Sequence, residues 1–229
     1  MKVLLGIQAR SGGSRFPGKV FEKIGEKPLL RWSYDSAVAA ERHLRTKNIQ
    51  SITRVLGPKD DTKLQMFCES ELISAIFPDA PENDLLTRYL KGTLEMGCDA
   101  LVRITADCWQ THPQMICEVV EMLIKDCDYV SNTMQRTFLE GLDLQACTLK
   151  ALRWFDEHQS EDREHPFMHF DQNKVIRDGF EKKMKYGHLF NPQAHSVIKT
   201  SIDIPQDLEK ARKIYDEGQK SRQILDRAQ

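Results

Sequence analysis

A short loop after the first predicted strand concentrates residues whose types and spacing suit phosphate chemistry. Its small residues allow a tight turn whose backbone N–H groups converge on phosphate oxygens. Arginine guanidinium groups can grip phosphate with two hydrogen bonds each, and a lysine ammonium acts as a point charge on a leaving pyrophosphate. The residues concerned are Ala9, Arg10, Gly12, Gly13, Ser14, Arg15 and Lys19. We therefore predict that this loop binds phosphate groups.

The alternative for this loop is a solvated basic turn with no ligand. Its pattern matches neither the P-loop G-x-x-x-x-G-K-[ST] nor the dinucleotide fingerprint G-x-G-x-x-G. Three cations among glycines directly after a first strand are rarer by chance than a basic turn. The position also favours a binding loop, because open α/β sheets bind ligands beyond the carboxyl ends of their strands.

A carboxylate follows another predicted strand. Asp107 comes directly after the apolar stretch Ala100–Thr105, so we expect it in the same crevice as the basic loop. Mg²⁺ binds to one or two protein carboxylates together with phosphate oxygens. We therefore predict that Asp107 is a metal ligand. The alternative is a helix cap before Pro113. Arg103, within that strand, either faces the crevice or is held in a salt bridge, because a buried unpaired charge is costly.

The composition limits the classes of protein to consider. The chain has 229 residues, 40% hydrophobic and 29% charged, as in ordinary globular proteins, and its formal net charge of -1 gives no sign of a nucleic-acid or membrane surface. No apolar run approaches the ~20 residues of a membrane span, and the amino terminus lacks the features of a signal peptide. The scattered cysteines form no C-x-x-C pair, which favours a reduced, cytoplasmic protein.

The elements that must position these residues alternate along most of the chain, which predicts an α/β domain with a mostly parallel sheet flanked by helices. Strands are predicted at Val3–Gln8, Ile49–Leu56, Ile73–Phe77, Ala100–Thr105, Asp128–Asn132 and Val197–Ile202. Helices are predicted at about Pro28–His43, Lys63–Leu72, Leu85–Met96, Pro113–Lys125, Leu149–His158 and Pro205–Glu217. We expect one domain over residues 1–229. The segment of about 135–189 breaks the alternation and is a possible insertion for acceptor or subunit contacts.

Several short blocks follow one another along the chain. They are I-Q-A-R (7–10), R-F-P-G-K (15–19), I-G-E-K-P-L-L (24–30), N-D-L-L-T-R-Y (83–89), R-I-T-A-D-C (103–108), E-G-L-D (140–143), R-E-H (163–165) and S-I-D-I-P-Q-D-L (201–208). In this order they resemble the cytidylyltransferases, a group that includes the KDO and acylneuraminate enzymes, and the spore-coat polysaccharide biosynthesis protein F branch is the most similar. The sequence departs from the pattern at Gly13, Ala106 and Trp109.

The resemblance implies a Rossmann-like nucleotide-diphospho-sugar transferase fold, CTP as substrate, Mg²⁺ as cofactor and a homodimer. It implies that the loop residues, Arg88 and Arg103 bind nucleotide and that Asp203 joins Asp107 as a metal ligand. The residues that it places near an acceptor are Glu140, Asp143, Arg163 and His165. The alternatives are a helix cap for Asp203, an exposed helix face for Arg88 and a structural role for His165.

The expected reaction is in-line attack of an acceptor oxygen on the α-phosphorus of CTP, with loss of pyrophosphate. Lys19, Arg15 and Asp107 are the expected catalytic residues. The acceptor is expected to be sugar-like or a sugar acid, in surface polysaccharide or glycan precursor synthesis. Two alternatives remain at this point, namely transfer from another nucleotide such as GTP or UTP, and a catalytically inactive nucleotide-binding homologue.

Overall fold

The strands assemble into one large sheet and one small hairpin. The computed structural model describes residues 1–192 and 199–227. Its strands are β1 (Lys2–Gln8), β2 (Lys23–Ile24), β3 (Lys27–Pro28), β4 (Gln50–Leu56), β5 (Ala75–Ile76), β6 (Ala100–Thr105), β7 (Tyr129–Ser131), β8 (Gln145–Thr148) and β9 (Tyr186–His188). The seven-stranded sheet has the order β5-β4-β1-β6-β8-β7-β9, and β2 pairs with β3. Only β8 runs antiparallel to its neighbours in the large sheet.

Helices cover both faces of this sheet. They are α1 (Leu29–Thr46), α2 (Thr62–Ser70), α3 (Leu85–Glu95), α4 (Pro113–Asp126), α5 (Leu149–His158), α6 (Met168–Gln172), α7 (Lys174–Glu181) and α8 (Pro205–Arg227). Side chains of β1 alternate between two cores: Leu5 packs in the cluster with α1 and α4, and Leu4 packs in the cluster with α3 and α5. The predicted α/β architecture with a mostly parallel sheet is confirmed. None of the helices described is long and apolar enough to cross a membrane.

Most predicted helix boundaries follow from capping side chains. Asp61 caps α2, Asp84 caps α3 and Thr148 caps α5, each by accepting a hydrogen bond from a backbone N–H in the first turn. Gly97 ends α3 with a left-handed φ of 57°, as predicted. The last helix was predicted too short: α8 continues beyond Glu217 to Arg227.

The segment of 135–189 differs most from the prediction. It supplies β8, β9 and the helices α5, α6 and α7, and β8 lies between β6 and β7. This segment is therefore not an addition outside the sheet. The two strands were missed because β8 has four residues without alternation and β9 has three residues with a central glycine. Of the predicted strand 197–202, residues 197 and 198 lie outside the described residues, and Lys199 forms only an isolated bridge with Glu140.

Candidate active site

A cleft of about 380 Å³ lies at the carboxyl ends of β1 and β6. Every site residue predicted from the sequence lines it, with the exception of Arg163. The predicted residues that line it are Ala9, Arg10, Gly12, Gly13, Ser14, Arg15, Lys19, Arg88, Arg103, Asp107, Glu140, Asp143, His165 and Asp203. The position agrees with the general placement of ligands in open α/β sheets.

A backbone hydrogen bond closes the basic loop, and further hydrogen bonds connect the loop to the start of α2. The Gly18 N–H donates to the Ser11 carbonyl at 2.8 Å, and Gly18 has a left-handed φ of 73°. The carboxylate of Asp61 accepts from both the N–H and the hydroxyl of Ser11, each at 2.6 Å. Because the same carboxylate caps α2 through the Leu64 N–H, this helix anchors the loop. The sequence indicated a cap at this position but not the contact with the loop.

Two carboxylates from distant parts of the chain meet at Lys19. Its Nζ donates to Asp107 Oδ2 at 2.6 Å and to the Ile202 carbonyl at 2.7 Å, and it lies 3.9 Å from Asp203 Oδ1. Arg15 Nη2 donates to Asp203 Oδ1 at 3.0 Å. The two loop cations and the two aspartates thus form one cluster of opposite charges.

Among the described residues, neither Asp107 nor Asp203 accepts a hydrogen bond that caps a helix. The helix after Asp107 is capped by His112, whose Nδ1 accepts from the Gln114 N–H at 3.2 Å. At the start of α8, it is Asp207 that accepts from the backbone N–H groups of Asp203 and Ile204, at 3.0 and 3.2 Å. Both carboxylates are left to face the cleft, and the capping alternatives are wrong.

The segment that carries Asp203 is fastened at two points. The Ile202 N–H donates to the Asp107 carbonyl at 3.1 Å, and the Thr200 N–H donates to the Glu140 carbonyl at 2.7 Å. The second contact passes directly over Gly141, where an added Cβ would lie 2.7 Å from Thr200 Oγ1 at a φ of 99°. Glycine at position 141 therefore allows the segment to approach closely.

The charges around Asp203 favour its ionised form. Burial alone would raise the pKa of Asp203, but a hydrogen bond from Lys199 and the charges of Lys19 and Arg15 outweigh burial and lower it. The carboxylate is therefore available as an anionic ligand at neutral pH. Asp107 and Asp203 supply the hard oxygen donors that Mg²⁺ prefers, and a single ammonium group lies close to both. Within the described part of the chain, no group of three or more His, Cys, Asp or Glu side chains forms a metal site.

Arg10 and Arg88 lie at one end of the cleft. Arg10 Nη2 donates to Glu164 Oε1 at 2.6 Å. Arg88 is only 1% exposed, which rules out an exposed helix face. Its Nη2 donates to the Pro81 and Glu82 carbonyls, and its Nε has no hydrogen-bond partner among the described residues. Burial lowers the pKa of Arg88.

Arg103 lies at the cleft wall without an ion pair to any described carboxylate. Its Nε donates to Gln8 Oε1 at 3.0 Å and its Nη1 donates to Gln145 Oε1 at 2.6 Å. Of the two alternatives drawn from the sequence, the crevice position is confirmed and the salt bridge is wrong. Neutral amide oxygens leave the positive charge of Arg103 uncompensated, so it can attract an anion.

The predicted acceptor residues divide into two groups. Glu140, Asp143 and His165 line the cleft, whereas the prediction that Arg163 binds an acceptor is not supported by its position. Arg163 Nε lies 2.9 Å from Asp84 Oδ2, and its Nη2 pairs with Asp156, so it joins α3 to α5. The adjacent Glu164 lines the cleft instead.

Sequence reasoning missed Arg136 at this end of the cleft. Its two terminal nitrogens lie 3.1 and 3.2 Å from the two carboxylate oxygens of Asp143. Its position, four residues before Glu140 in the irregular segment, could have indicated that Arg136 lies near the cleft. The pair puts a guanidinium group where an acceptor anion could compete with Asp143.

Comparisons with known proteins identify the family of this chain. A family described as cytidylyltransferase matches residues 6–227. An uncharacterized protein of Methanocaldococcus jannaschii is 29% identical over 179 residues, which cover 76% of this chain and 69% of that protein. A 3-deoxy-manno-octulosonate cytidylyltransferase of Bdellovibrio bacteriovorus is 22% identical over 126 residues, which cover 55% of this chain and 47% of that protein.

A solved structure extends the agreement to the fold. The cytidylyltransferase from Leptospira borgpetersenii has a TM-score of 0.79 and 26% sequence identity to this chain, and the match covers 93% of this chain and 85% of that one. The region matched by the family includes the basic loop, both aspartates and the cleft residues Glu140, Asp143 and His165. The chain belongs to the cytidylyltransferase family.

Proposed function

We propose that the protein transfers CMP from CTP to a hydroxyl group of a sugar-like or sugar-acid acceptor and releases pyrophosphate. One observation carries the proposal: Lys19 and Arg15 of the basic loop meet Asp107 and Asp203 at one point of the cleft. Cations for a triphosphate and carboxylates for a metal are what nucleotidyl transfer requires in one place.

In this account, the loop holds the triphosphate. Arg10 and Arg15 exchange Glu164 and Asp203 for phosphate oxygens, and backbone N–H groups around Gly12 and Ser14 add donors. Lys19 leaves Asp107 and stabilises the negative charge that builds on the departing pyrophosphate. Arg88 and Arg103 supply further positive charge from the floor and wall of the cleft.

Asp107 and Asp203 would hold Mg²⁺ when nucleotide is present. When bound, this ion would neutralise phosphate charge and lower the pKa of the acceptor hydroxyl. The acceptor oxygen forms a bond to the α-phosphorus as the bond from that phosphorus to the bridging oxygen of pyrophosphate breaks. The hydroxyl proton passes to water, so the site needs no dedicated base.

The acceptor is positioned by cleft residues from the segment of 135–189. Glu140 and Asp143 accept hydrogen bonds from acceptor hydroxyls, and His165 donates to an acceptor carboxylate or phosphate. The guanidinium group of Arg136 becomes a second donor to an acceptor anion when its hydrogen bonds to Asp143 break. These contacts orient one hydroxyl toward the phosphorus, which is the main contribution that such a site makes.

A nucleotide and acceptor screen tests the proposal. The purified protein with Mg²⁺ would be incubated with CTP, GTP, UTP or ATP and a panel of neutral sugars and sugar acids, and released pyrophosphate would be measured. CTP should give the fastest release, with Asp107→Asn as an inactive control. A preference for GTP or UTP would contradict the choice of nucleotide. If the protein bound a nucleotide but released no pyrophosphate with any acceptor of the panel, the result would favour an inactive homologue.

The resemblance also supports proposals about the setting of the reaction. We propose that the protein acts as a homodimer, in the cytoplasm, in the synthesis of surface polysaccharide or glycan precursors. All six cysteines are free thiols, as a reducing compartment requires. Sedimentation equilibrium would test the dimer, since a single species of 26.5 kDa would contradict it.

A further inference from the structure

A row of polar side chains crosses three strands beside the cleft. In the sheet register Arg103 of β6 pairs with Gln145 of β8, and Gln145 pairs with Ser131 of β7. Directly paired residues of neighbouring strands project to the same face of a sheet, so the three side chains are neighbours. One end of the row, Arg103, lines the cleft, and the other end lies beneath α6.

A buried carboxylate from α6 lies at the far end of this row. Asp171 is 6% exposed and accepts hydrogen bonds from Tyr129 Oη at 2.9 Å, Ser131 Oγ at 2.8 Å and the Thr133 hydroxyl. Gln145 Nε2 donates to the same carboxylate at 3.3 Å. Within the described residues, Asp171 has no ion pair with a cation. Burial raises the pKa of Asp171, and the four hydrogen bonds offset only part of that effect.

The contact with Asp171 fixes which way the Gln145 amide faces. Its Nε2 donates to Asp171 and to Thr133 Oγ1, and its Oε1 therefore faces Arg103 Nη1 at 2.6 Å. If the amide were reversed, its Oε1 would face the Asp171 carboxylate with no hydrogen to share, and its NH₂ group would face the guanidinium group of Arg103, where neither can accept. Asp171 and Arg103 together therefore exclude the alternative orientation, and Asp171 favours the observed one from the side away from the cleft.

The oriented amide and Gln8 hold Arg103 from two sides. Gln8 Oε1 accepts from Arg103 Nε at 3.0 Å and from the Tyr89 hydroxyl at 2.6 Å. The described hydrogen bonds of Arg103 use Nε and Nη1, which leaves Nη2 for a ligand in the cleft. A guanidinium group held in this way loses little side-chain entropy when it binds an anion.

We infer that Asp171 is a positioning residue for nucleotide binding, which acts through Gln145 to hold Arg103 against the cleft. This inference rests on the proposed function, because it takes CTP as the ligand. Asp171 has no contact with the cleft and is absent from its lining, and none of the sequence patterns indicated a role for it. Asp171 accepts a hydrogen bond from the Gln145 amide and so orients the side chain that contacts Arg103. Carboxylates orient metal-ligating side chains at other sites in the same way.

The test measures CTP binding by calorimetry with Mg²⁺, together with thermal unfolding. Asp171→Asn should weaken CTP binding about tenfold, since a charged hydrogen bond to the ligand becomes poorly placed. Arg103→Ala should weaken it by at least as much. In the Arg103→Ala background, adding Asp171→Asn should change the dissociation constant less than about twofold, because the intermediary is gone. Asp178→Asn, an exposed carboxylate in α7, is the matched control.

A variant of the intermediary separates positioning from folding. Gln145→Met removes the amide that links Asp171 to Arg103 but keeps a side chain of similar length, so it should weaken CTP binding about tenfold. In the Gln145→Met background, adding Asp171→Asn should change the dissociation constant less than about twofold, because Asp171 then has no contact that leads to Arg103. Losses from Asp171→Asn that were equal in the original, Arg103→Ala and Gln145→Met backgrounds, all folded, would overturn the inference. Failure of the unsubstituted protein to bind CTP would overturn the proposed function as well.

Discussion

Each cation of the basic loop is paired with a carboxylate. Lys19 contacts Asp107, Arg15 contacts Asp203 and Arg10 contacts Glu164. Three cations on one short loop repel each other, and these pairs offset that repulsion. In the proposed reaction, a triphosphate with Mg²⁺ would replace the pairs with Asp107 and Asp203 at once, since it brings negative charge to the cations and positive charge to the aspartates.

The two aspartates are the first test at this scale. Asp107→Asn removes a charged metal ligand but little volume, so turnover should fall on the order of a hundredfold or more while thermal unfolding changes little. Asp203→Asn should act in the same direction with a smaller effect, because Asp107 remains. Steady-state rates over a Mg²⁺ titration would measure both, with the exposed Asp216→Asn as control. Normal turnover by Asp203→Asn would mean that only Asp107 is a ligand.

The loop cations should differ in the kinetic step that they affect. Arg15→Ala should weaken CTP binding by roughly tenfold to a hundredfold, because a charged hydrogen bond contributes ~1.5–3 kcal/mol. Lys19→Ala should lower kcat more than it weakens CTP binding, since the lysine stabilises the charge on the leaving pyrophosphate. Calorimetric binding constants and single-turnover rates separate the two effects. The reverse pattern would assign Lys19 to ground-state binding.

Lys199 gives a prediction for the pH dependence of stability. It donates to the carboxylates of Asp203 and Asp207, at 2.8 and 2.9 Å, and it helps to hold the pKa of each below its ordinary value. A carboxyl group with a lowered folded-state pKa stabilises the fold above its unfolded pKa of about 4, and this is lost as pH falls through the folded value.

Lys199→Ala should therefore destabilise the protein at pH 7, by about 0.5–1 kcal/mol, as partly exposed ion pairs do. The difference from the original protein should shrink as the pH falls below about 4, because protonated carboxyl groups no longer attract the ammonium. Denaturant unfolding at pH 7 and at pH 3 would measure it. A difference that stayed constant between these pH values would contradict the assigned pKa directions.

At the scale of elements, the site depends on a loop crossing that brings Asp203 to Asp107. Residues 199–203 pass over Gly141, which has a φ of 99° and no room for a Cβ beneath Thr200. The same segment donates from Thr200 to Glu140 and from Ile202 to Asp107. The glycine therefore couples the part of the cleft around Glu140 to the two aspartates.

Gly141→Ala should damage both stability and activity. The left-handed φ and the contact with Thr200 together should cost about 1–3 kcal/mol, and displacement of the segment should lower turnover further. Gly179→Ala is the matched control, because an added Cβ in α7 meets nothing within 4 Å and alanine favours a helix. Thermal unfolding and turnover of both variants would measure the contrast. Equal melting temperatures would mean that the crossing can relax.

The elements that were predicted and those that were missed differ in how local their causes are. Capped helices such as α2, α3 and α5 follow from side chains within the helix or next to it, and the sequence predicted them. The strand β8 is defined by its pairing with β6 and β7, which are 14 or more residues away, and a short buried strand carries little periodic signal.

Similar reasoning applies to the site. Arg10, Lys19 and Asp107 follow strands, so topology alone placed them in the cleft. Arg163 was misplaced because its partners, Asp84 and Asp156, come together only through the packing of α3 on α5. Asp171 and Gln145 were missed for the same reason, since a hydrogen-bonded row across strands requires the register.

At the scale of the whole molecule, the chain matches the cytidylyltransferase family over residues 6–227, and its cleft collects loop, sheet and carboxyl-terminal residues in one place. The amino-terminal part supplies the basic loop and Asp107. The segment of 135–189 supplies Glu140, Asp143 and His165 of the cleft and also the strand β8 of the central sheet. If these residues bind the acceptor as proposed, both substrates are held by one sheet, which favours their accurate placement.

In the proposed reaction, the α-phosphoryl group of CTP moves to an acceptor together with its nucleoside. This transfer can be followed by incubating the protein and Mg²⁺ with an acceptor panel and CTP labelled with ³²P at either the α or the γ position. The α label should enter the acceptor product, and the γ label should leave as pyrophosphate. Transfer of the γ label to an acceptor, or transfer from GTP or UTP but not from CTP, would contradict the proposed reaction.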